Sequence, residues 1–376
     1  MTLLLAWFQL GVQLVLALGA AGPRALPKRL LLFALLWLLL GLLTLLHLVG
    51  FALDECLFRG YRKVVVKRPV FILGMPRSGT TFWQRLLARD PQFTSLTLWE
   101  CLLAPSVTER YLWSALGQGL KPLARLPGIG RWHAMDRVHS LGWREPEEDF
   151  LLLLYKGGCF LPALLCPQAE RYWRLGFFDC RVSGKTQASM LRFYYRCVQR
   201  HLYFHGPQRR FLSKNPSFTP MLRALQRRFP DARFLACHRH PSVVVPSQLS
   251  ALKPALAVFA RGRLDTDLRE RMLSLLHHYY RCLEQVKEWD SVILLPLEQL
   301  PRLLAEQLPA LYAFMQAPLT EPVLTDLKAQ GQAQSARPSQ HRYRLTDFGL
   351  TRTRLEREFA DVWPGLTTPE MRAVAA

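Results

Sequence analysis

The run from Phe71 to Thr81, FILGMPRSGTT, places two glycines, one arginine and three hydroxyl side chains between an apolar stretch and a helix-forming one. Gly74 and Gly79 allow backbone N–H groups to approach an anion closely, and the helix expected over Phe82 to Arg89 adds unpaired donors and a partial positive charge. A nucleoside-triphosphate loop of the form G-x-x-x-x-G-K-[ST] carries a lysine that reaches the β- and γ-phosphates. Here Thr80 stands in that place and the loop's cation is Arg77. The pattern therefore points to a phosphate-like ligand that lacks a β,γ-phosphate pair. Candidate contacts are Gly74, Pro76, Arg77, Ser78, Gly79, Thr80 and Thr81.

A second anion pattern follows the apolar run Arg233 to Cys237. Arg239 stands at the end of that run, and Ser247 lies eight residues further on, two turns into a helix. An arginine and a hydroxyl so spaced can converge on one anion. Two such sites on one sheet predict a ligand phosphorylated at both ends.

These segments resemble the sulfotransferases that use 3′-phosphoadenosine-5′-phosphosulfate (PAPS). In that superfamily a PMPRSGTT-like loop grips the 5′-phosphosulfate, and an arginine with a later serine grips the 3′-phosphate. Further likeness is to a bacterial branch of the superfamily. It is carried by HSLGWREPEED from His139 to Asp149, LSKNP from Leu212 to Pro216, and HRYRLTDFGL from His341 to Leu350. The resemblance runs from about Pro69 to Val362. Departures are His240 in place of an aspartate, Ser140 in place of a proline, and Asn215 in place of the serine after the lysine. The resemblance implies PAPS as co-substrate, with no metal, and an α/β fold with a central parallel sheet in three layers, like that of the phosphate-loop NTPases. His341, Arg342 and Tyr343 are further candidate nucleotide contacts, and His341, Arg342 and Arg344 are expected to close over the nucleotide.

Moving a sulfuryl group to an alcohol needs a base for the acceptor hydroxyl and cations for the departing phosphate, by analogy with phosphoryl transfer. Arg77 and Lys214 are the candidate cations, Lys214 by its match to the strand-end lysine of the family. Glu100 and Glu148 are the candidate bases. Glu100 is preferred because it matches the glutamate that protein-tyrosine sulfotransferases place after the loop helix, while Glu148 also reads as part of an acidic helix start. His139 is a weaker option. Two other readings stay open: a nucleotide kinase or NTPase, and a membrane-anchored nucleotide-binding protein without catalysis.

The elements that must position these residues alternate in kind. Val70 to Leu73, Arg210 to Leu212, Arg233 to Cys237 and Val292 to Leu295 are short apolar runs; Phe218 to Phe229, Asp265 to Trp289 and Gln299 to Phe314 read as helices. Continuous apolar strands separated by helices predict a parallel sheet covered on both faces, with ligands at the strands' carboxyl ends. Lys328 to Gln340, rich in Gln, Ala and Ser, reads as a loop.

Ahead of this domain, Leu3 to Ala20 and Leu30 to Leu53 are almost wholly apolar, and the second is long enough to cross a bilayer. The simplest reading is a membrane hairpin over residues 1–60 followed by a catalytic domain over 61–376. Arg59, Arg62, Lys63, Lys67 and Arg68 outnumber Arg24, Lys28 and Arg29, which favours a catalytic domain facing the cytoplasm, in bacteria at the inner membrane. The net charge of +21 is spread along the chain, and no nucleic-acid module is present. A polyanionic small molecule and a membrane surface fit that balance; DNA and RNA do not. Eight cysteines show neither a C-x-x-C pair nor zinc-finger spacing, which fits free thiols in a reducing compartment. The expected acceptor is a hydrophobic or lipid-linked alcohol, with Phe150 to Leu165 and the aromatics Tyr172, Trp173, Phe177 and Phe178 forming either core or its path.

Overall fold

Five runs of mostly apolar residues form strands: β1 (Val70–Gly74), β2 (Phe93–Thr94), β3 (Arg210–Lys214), β4 (Arg233–His238) and β5 (Val292–Pro296). They pair in parallel in the order β2-β3-β1-β4-β5. The computed structural model describes residues 2–18, 26–120, 145–259, 266–335 and 344–364. Successive side chains of a strand point to opposite faces, and here each face carries its own core. Phe71, Leu73, Phe211, Phe234 and Ala236 enter the larger one, while Val70, Ile72, Leu212, Leu235 and Cys237 enter the smaller. Both faces are therefore covered by helices, as continuous apolar strands require.

The expected strands coincide with β1, β3, β4 and β5 to within two residues. Three expectations for the rest need correction. The helix expected over Gln299 to Phe314 is two, Leu300–Glu306 and Leu308–Phe314, because Pro309 cannot continue the first. The helix expected from Phe218 begins as a 3-10 segment, Pro216–Met221, with Pro220 inside it. Lys328 to Ser335, read as loop, belongs to the helix Glu321–Ser335, where Leu327 is buried in the smaller core. The aromatics Tyr172, Trp173, Phe177 and Phe178 are buried in the larger core.

Two helices precede the sheet, α1 (Thr2–Leu18) and α2 (Leu26–Leu57). By length and composition α2 alone is long and apolar enough to cross a membrane among the described residues. Pro27, expected in the loop, sits in its first turn, where a missing N–H costs nothing. The helices cross where Trp7 and Trp37 stack with ring centroids 4.4 Å apart, each indole N–H donating to the other's backbone carbonyl. Gly11 and Gly41 make room, since a Cβ on either would strike the opposite indole.

The C-terminal half of α2 is fastened to the domain that follows. Asp54 accepts from the backbone N–H groups of Val107 and Thr108, which open α5 (Val107–Leu120), and from Arg200 at 2.7 Å. It thus caps a helix to which it is not joined in sequence. His47 pairs with Glu109 at 2.6 Å, fully buried. The expected division between residues 60 and 61 therefore has buried ion pairs across it.

Candidate active site

The glycine loop leaves the carboxyl end of β1 and enters α3 (Thr80–Leu87). Gly74 has φ +116°, and a Cβ there would lie 2.0 Å from the Cys237 carbonyl oxygen, so only glycine lets β1 run this close to β4. Met75 donates its N–H to that same oxygen at 2.8 Å, and the Ser78 hydroxyl donates to it at 3.0 Å, pinning the loop across the strand ends. Gly79 precedes α3 with φ +88° and no side chain caps the helix, so its first N–H groups stay open to an anion. Arg77 has φ +62°, a conformation that a non-glycine residue holds only where its surroundings enforce it.

The second anion pattern arrives at the same place. Ser247, buried on the helix Pro241–Phe259 that follows β4, accepts from the Arg77 guanidinium Nε at 3.1 Å. Two patterns 170 residues apart are thus joined by one hydrogen bond. Arg239 lies between β4 and that helix with its side chain about one-third exposed, and its carbonyl accepts from Tyr280 at 2.6 Å.

β3 contributes the second cation. Lys214 is level with Ile72 of β1, and Asn215 donates its N–H to the Ile72 carbonyl at 2.7 Å, so the lysine stands beside the start of the glycine loop. Its side chain is 4% exposed, and its ammonium pairs with Glu148 at 2.9 Å and with Glu147 at 3.7 Å. The Glu145 to Asp149 segment is held over the strand ends by α3, through Gln84 to the Glu147 carbonyl and Arg85 to Glu145. Asp149, next in sequence to Glu148, accepts from Ser213 and Asn215, the two neighbours of Lys214, at 3.0 and 2.9 Å, and from Tyr194 at 2.5 Å. Adjacent acidic residues thus grip adjacent residues of the strand end. Burial pushes the Asp149 carboxyl up to about 6, against the downward pull of those three hydrogen bonds.

Glu100, preferred on sequence as the base, follows a backbone bridge between Thr97 and Pro146 that ties the start of its helix to the Glu145 to Asp149 segment. It is the third residue of α4 (Leu98–Leu102) and its carboxylate accepts from the N–H and hydroxyl of Thr97, closing a capping box. Arg110 at 3.6 Å, His201 at 3.5 Å and His205 at 2.6 Å complete its surroundings, and it is 1% exposed. Burial alone would raise its pKa; Arg110 and the histidines outweigh that and hold the carboxyl far below the usual range. Among the described residues none of these partners belongs to the glycine loop, to β3 or to the Arg239 turn.

His201 and His205 escaped the sequence reading, although their i, i+4 spacing on the helix Gly184–His205 was a signal. With Glu100 they bring three metal-type ligand atoms within 4.8 Å of one another. The Arg110 guanidinium already supplies positive charge to that carboxylate. His139, His341, Arg342 and Tyr343 lie outside the described residues.

Comparison with known proteins bears on the family and the fold. Two curated relatives, the omega-hydroxy-beta-dihydromenaquinone-9 sulfotransferases Stf3 of Mycobacterium bovis and Mycobacterium tuberculosis, are each 28% identical over 234 residues, covering 60% of this chain. The chain spans little more than half, 56%, of the length of those relatives. The crystal structure of sulfotransferase STF9 from Mycobacterium avium superposes with a TM-score of 0.64 at 21% identity, over 83% of this chain and 80% of that one. Sulfotransferase STF1 from Mycobacterium tuberculosis gives 0.64 at 18% identity, over 94% and 92%. At those identities the structures establish a shared fold. The Sulfotransferase family itself matches residues 69–321, from the first residue before β1 to the helix beyond β5 and so through both anion patterns and the Lys214 strand end. That span is more than half of the sequence, and the chain belongs to the sulfotransferase family.

Proposed function

We propose that this protein transfers a sulfuryl group from PAPS to the hydroxyl of a lipid or lipid-linked acceptor at a membrane, with its catalytic domain facing the cytoplasm. The observation that carries the reading is the Arg77–Ser247 hydrogen bond, which joins the glycine loop to the second anion pattern. The residues fit the donor: open N–H groups at α3 with Arg77, Ser78, Thr80 and Thr81 suit the phosphosulfate, and Arg239 with Ser247 suits the 3′-phosphate. Thr80 in place of lysine disfavours a nucleoside triphosphate. The Stf3 relatives, whose name gives a hydroxylated dihydromenaquinone, support a hydrophobic acceptor. The exposed apolar faces of α1 and α2 support a membrane location.

In the transfer, the bond from sulfur to the acceptor oxygen forms and the bond from sulfur to the phosphate oxygen breaks, leaving adenosine 3′,5′-bisphosphate. Glu148, paired with Lys214 and about one-third exposed, takes the hydroxyl proton. Lys214 and Arg77 offset the charge that grows on the departing phosphate. Asp149 fixes the strand end that carries Lys214.

Calorimetry tests the donor. Adenosine 3′,5′-bisphosphate should bind about tenfold or more tighter than 5′-AMP, the usual worth of charge-assisted hydrogen bonds to one phosphate, and Arg239→Ala should erase the difference. Equal affinity for the two, or tighter binding of ATP, would overturn the reading. Label from PAPS should then appear in extracted lipids and not in water-soluble sugars.

A further inference from the structure

The buried residues of α2, Phe33, Gly41, Thr44, His47, Gly50 and Asp54, form one stripe along the helix. From Phe33 to Asp54 that stripe is about 31 Å long at the α-helical rise, as long as a bilayer's hydrocarbon core is thick. Something therefore covers one side of α2 through the whole depth it could cross. Near its end the cover is polar protein: Glu109 against His47, Ser106 against Gly50, and Arg200 against Asp54. Nearer its start the cover is α1.

The catalytic domain also follows α1. Ala6 touches Gly157 at 3.4 Å from the position of a Cβ, and Gln9, at the midpoint of α1, accepts from Arg171 at 2.5 Å. Leu10 and Leu14, further along, are buried in the larger core. Arg171 belongs to the short helix Glu170–Trp173, whose Glu170 is exposed, as is Arg174 next to it. A hairpin that crossed the membrane would carry these charges to hydrocarbon depth alongside Gln9, where ionised groups are strongly disfavoured. The α1 helix, about 25 Å long at the same rise, is also shorter than the hydrocarbon core.

The opposite side of the hairpin is apolar and open. Leu31, Leu38, Leu42, Leu45, Val49 and Leu57 of α2 are each more than half exposed. Phe8, Val15 and Leu16 of α1 continue that surface, and so do Tyr111, Leu112 and Trp113 of α5, which packs beside α2. Exposed cations bracket it, Lys28 at the start of α2 and Arg59, Lys63 and Lys67 after its end. Headgroups of one leaflet would meet both sets at once if neither end of α2 crosses.

We propose that α1, α2 and the outer face of α5 form a single lipid-facing surface that sinks into one leaflet of an anionic bilayer without spanning it, so that the catalytic domain lies partly within the headgroup layer. This rests on the membrane reading of the hairpin given above, and it fixes how the hairpin sits.

The test uses the full chain in a bacterial host, with the exposed Cys56 and Cys180 changed to serine and a single new cysteine at Lys28→Cys or Arg59→Cys. A membrane-impermeant maleimide is applied to spheroplasts and to inside-out vesicles. Both positions should gain label in the same preparation and lose it in the other. Labelling from opposite faces would overturn the proposal while leaving membrane association intact. Unmodified protein is also sedimented with phosphatidylglycerol vesicles; a chain that stays in the supernatant overturns the proposal together with the membrane location, whatever its sulfotransferase activity.

Discussion

Two carboxylates that the sequence offered as bases, with Glu100 preferred, have opposite surroundings in the fold. Glu148 is about one-third exposed and paired with Lys214, whereas Glu100 is sealed between Arg110 and two histidines. Glu148→Gln should lower turnover by about a hundredfold or more, the scale of a lost acid–base group, and leave nucleotide binding intact. Glu100→Gln should instead act on stability, because Arg110 would be left buried without its partner at a cost of about 3–5 kcal/mol. A stable, folded Glu100→Gln protein that binds nucleotide yet does not turn over would restore Glu100 as the base. Asp149 makes a prediction in pH. Its folded pKa of about 6 exceeds the ordinary 3.8, so the fold holds this proton more tightly than the unfolded chain does. Its contribution to stability is full below about pH 4 and is lost as pH rises through about 6. Asp149→Asn should therefore flatten that part of the melting-temperature profile; an unchanged slope between those pH values would exclude Asp149 as its source.

Helices named for different tasks turn out to share end groups. Asp54 closes the N-terminus of α5 and neutralises Arg200 of the helix Gly184–His205, while His47 answers Glu109. A chain beginning at Tyr61 loses a helix cap worth about 1 kcal/mol and leaves Arg200 without Asp54, at about 3–5 kcal/mol for a broken buried pair, while Glu109 keeps the N–H and hydroxyl of Ser106. Its melting temperature should fall by roughly 10 °C, taking about 2 °C per kcal/mol for a chain of this size. Differential scanning calorimetry decides the matter. Equal melting of the full and shortened chains would mean that α2 is a tether and no more. Nucleotide binding, which uses groups at the ends of β1, β3 and β4, should survive below the lower transition.

At the scale of the molecule, what the sequence disclosed was what periodicity and spacing encode. Apolar runs buried on both faces marked four of the five strands, and Gly74 with Gly79 marked the loop, because those positions tolerate few other residues. β2 has two residues and no pattern to find. The helix through Lys328 to Ser335 owes its place to tertiary contact, Gly331 packing within 3 Å of Leu304 at the position of a Cβ, and composition alone could not reveal that. The surroundings of Glu100 were likewise hidden: two of its partners, His201 and His205, come from a helix about a hundred residues further on. The bond from Arg200 to Asp54 has a further consequence, since it spans 146 residues. At a synthesis rate of about 5–20 residues per second, roughly 7 to 30 seconds separate the two groups on the ribosome. If the lipid-facing surface proposed above forms as the chain emerges, Asp54 enters it before Arg200 has been made, and the pair between them closes only when the helix Gly184–His205 folds back onto α2.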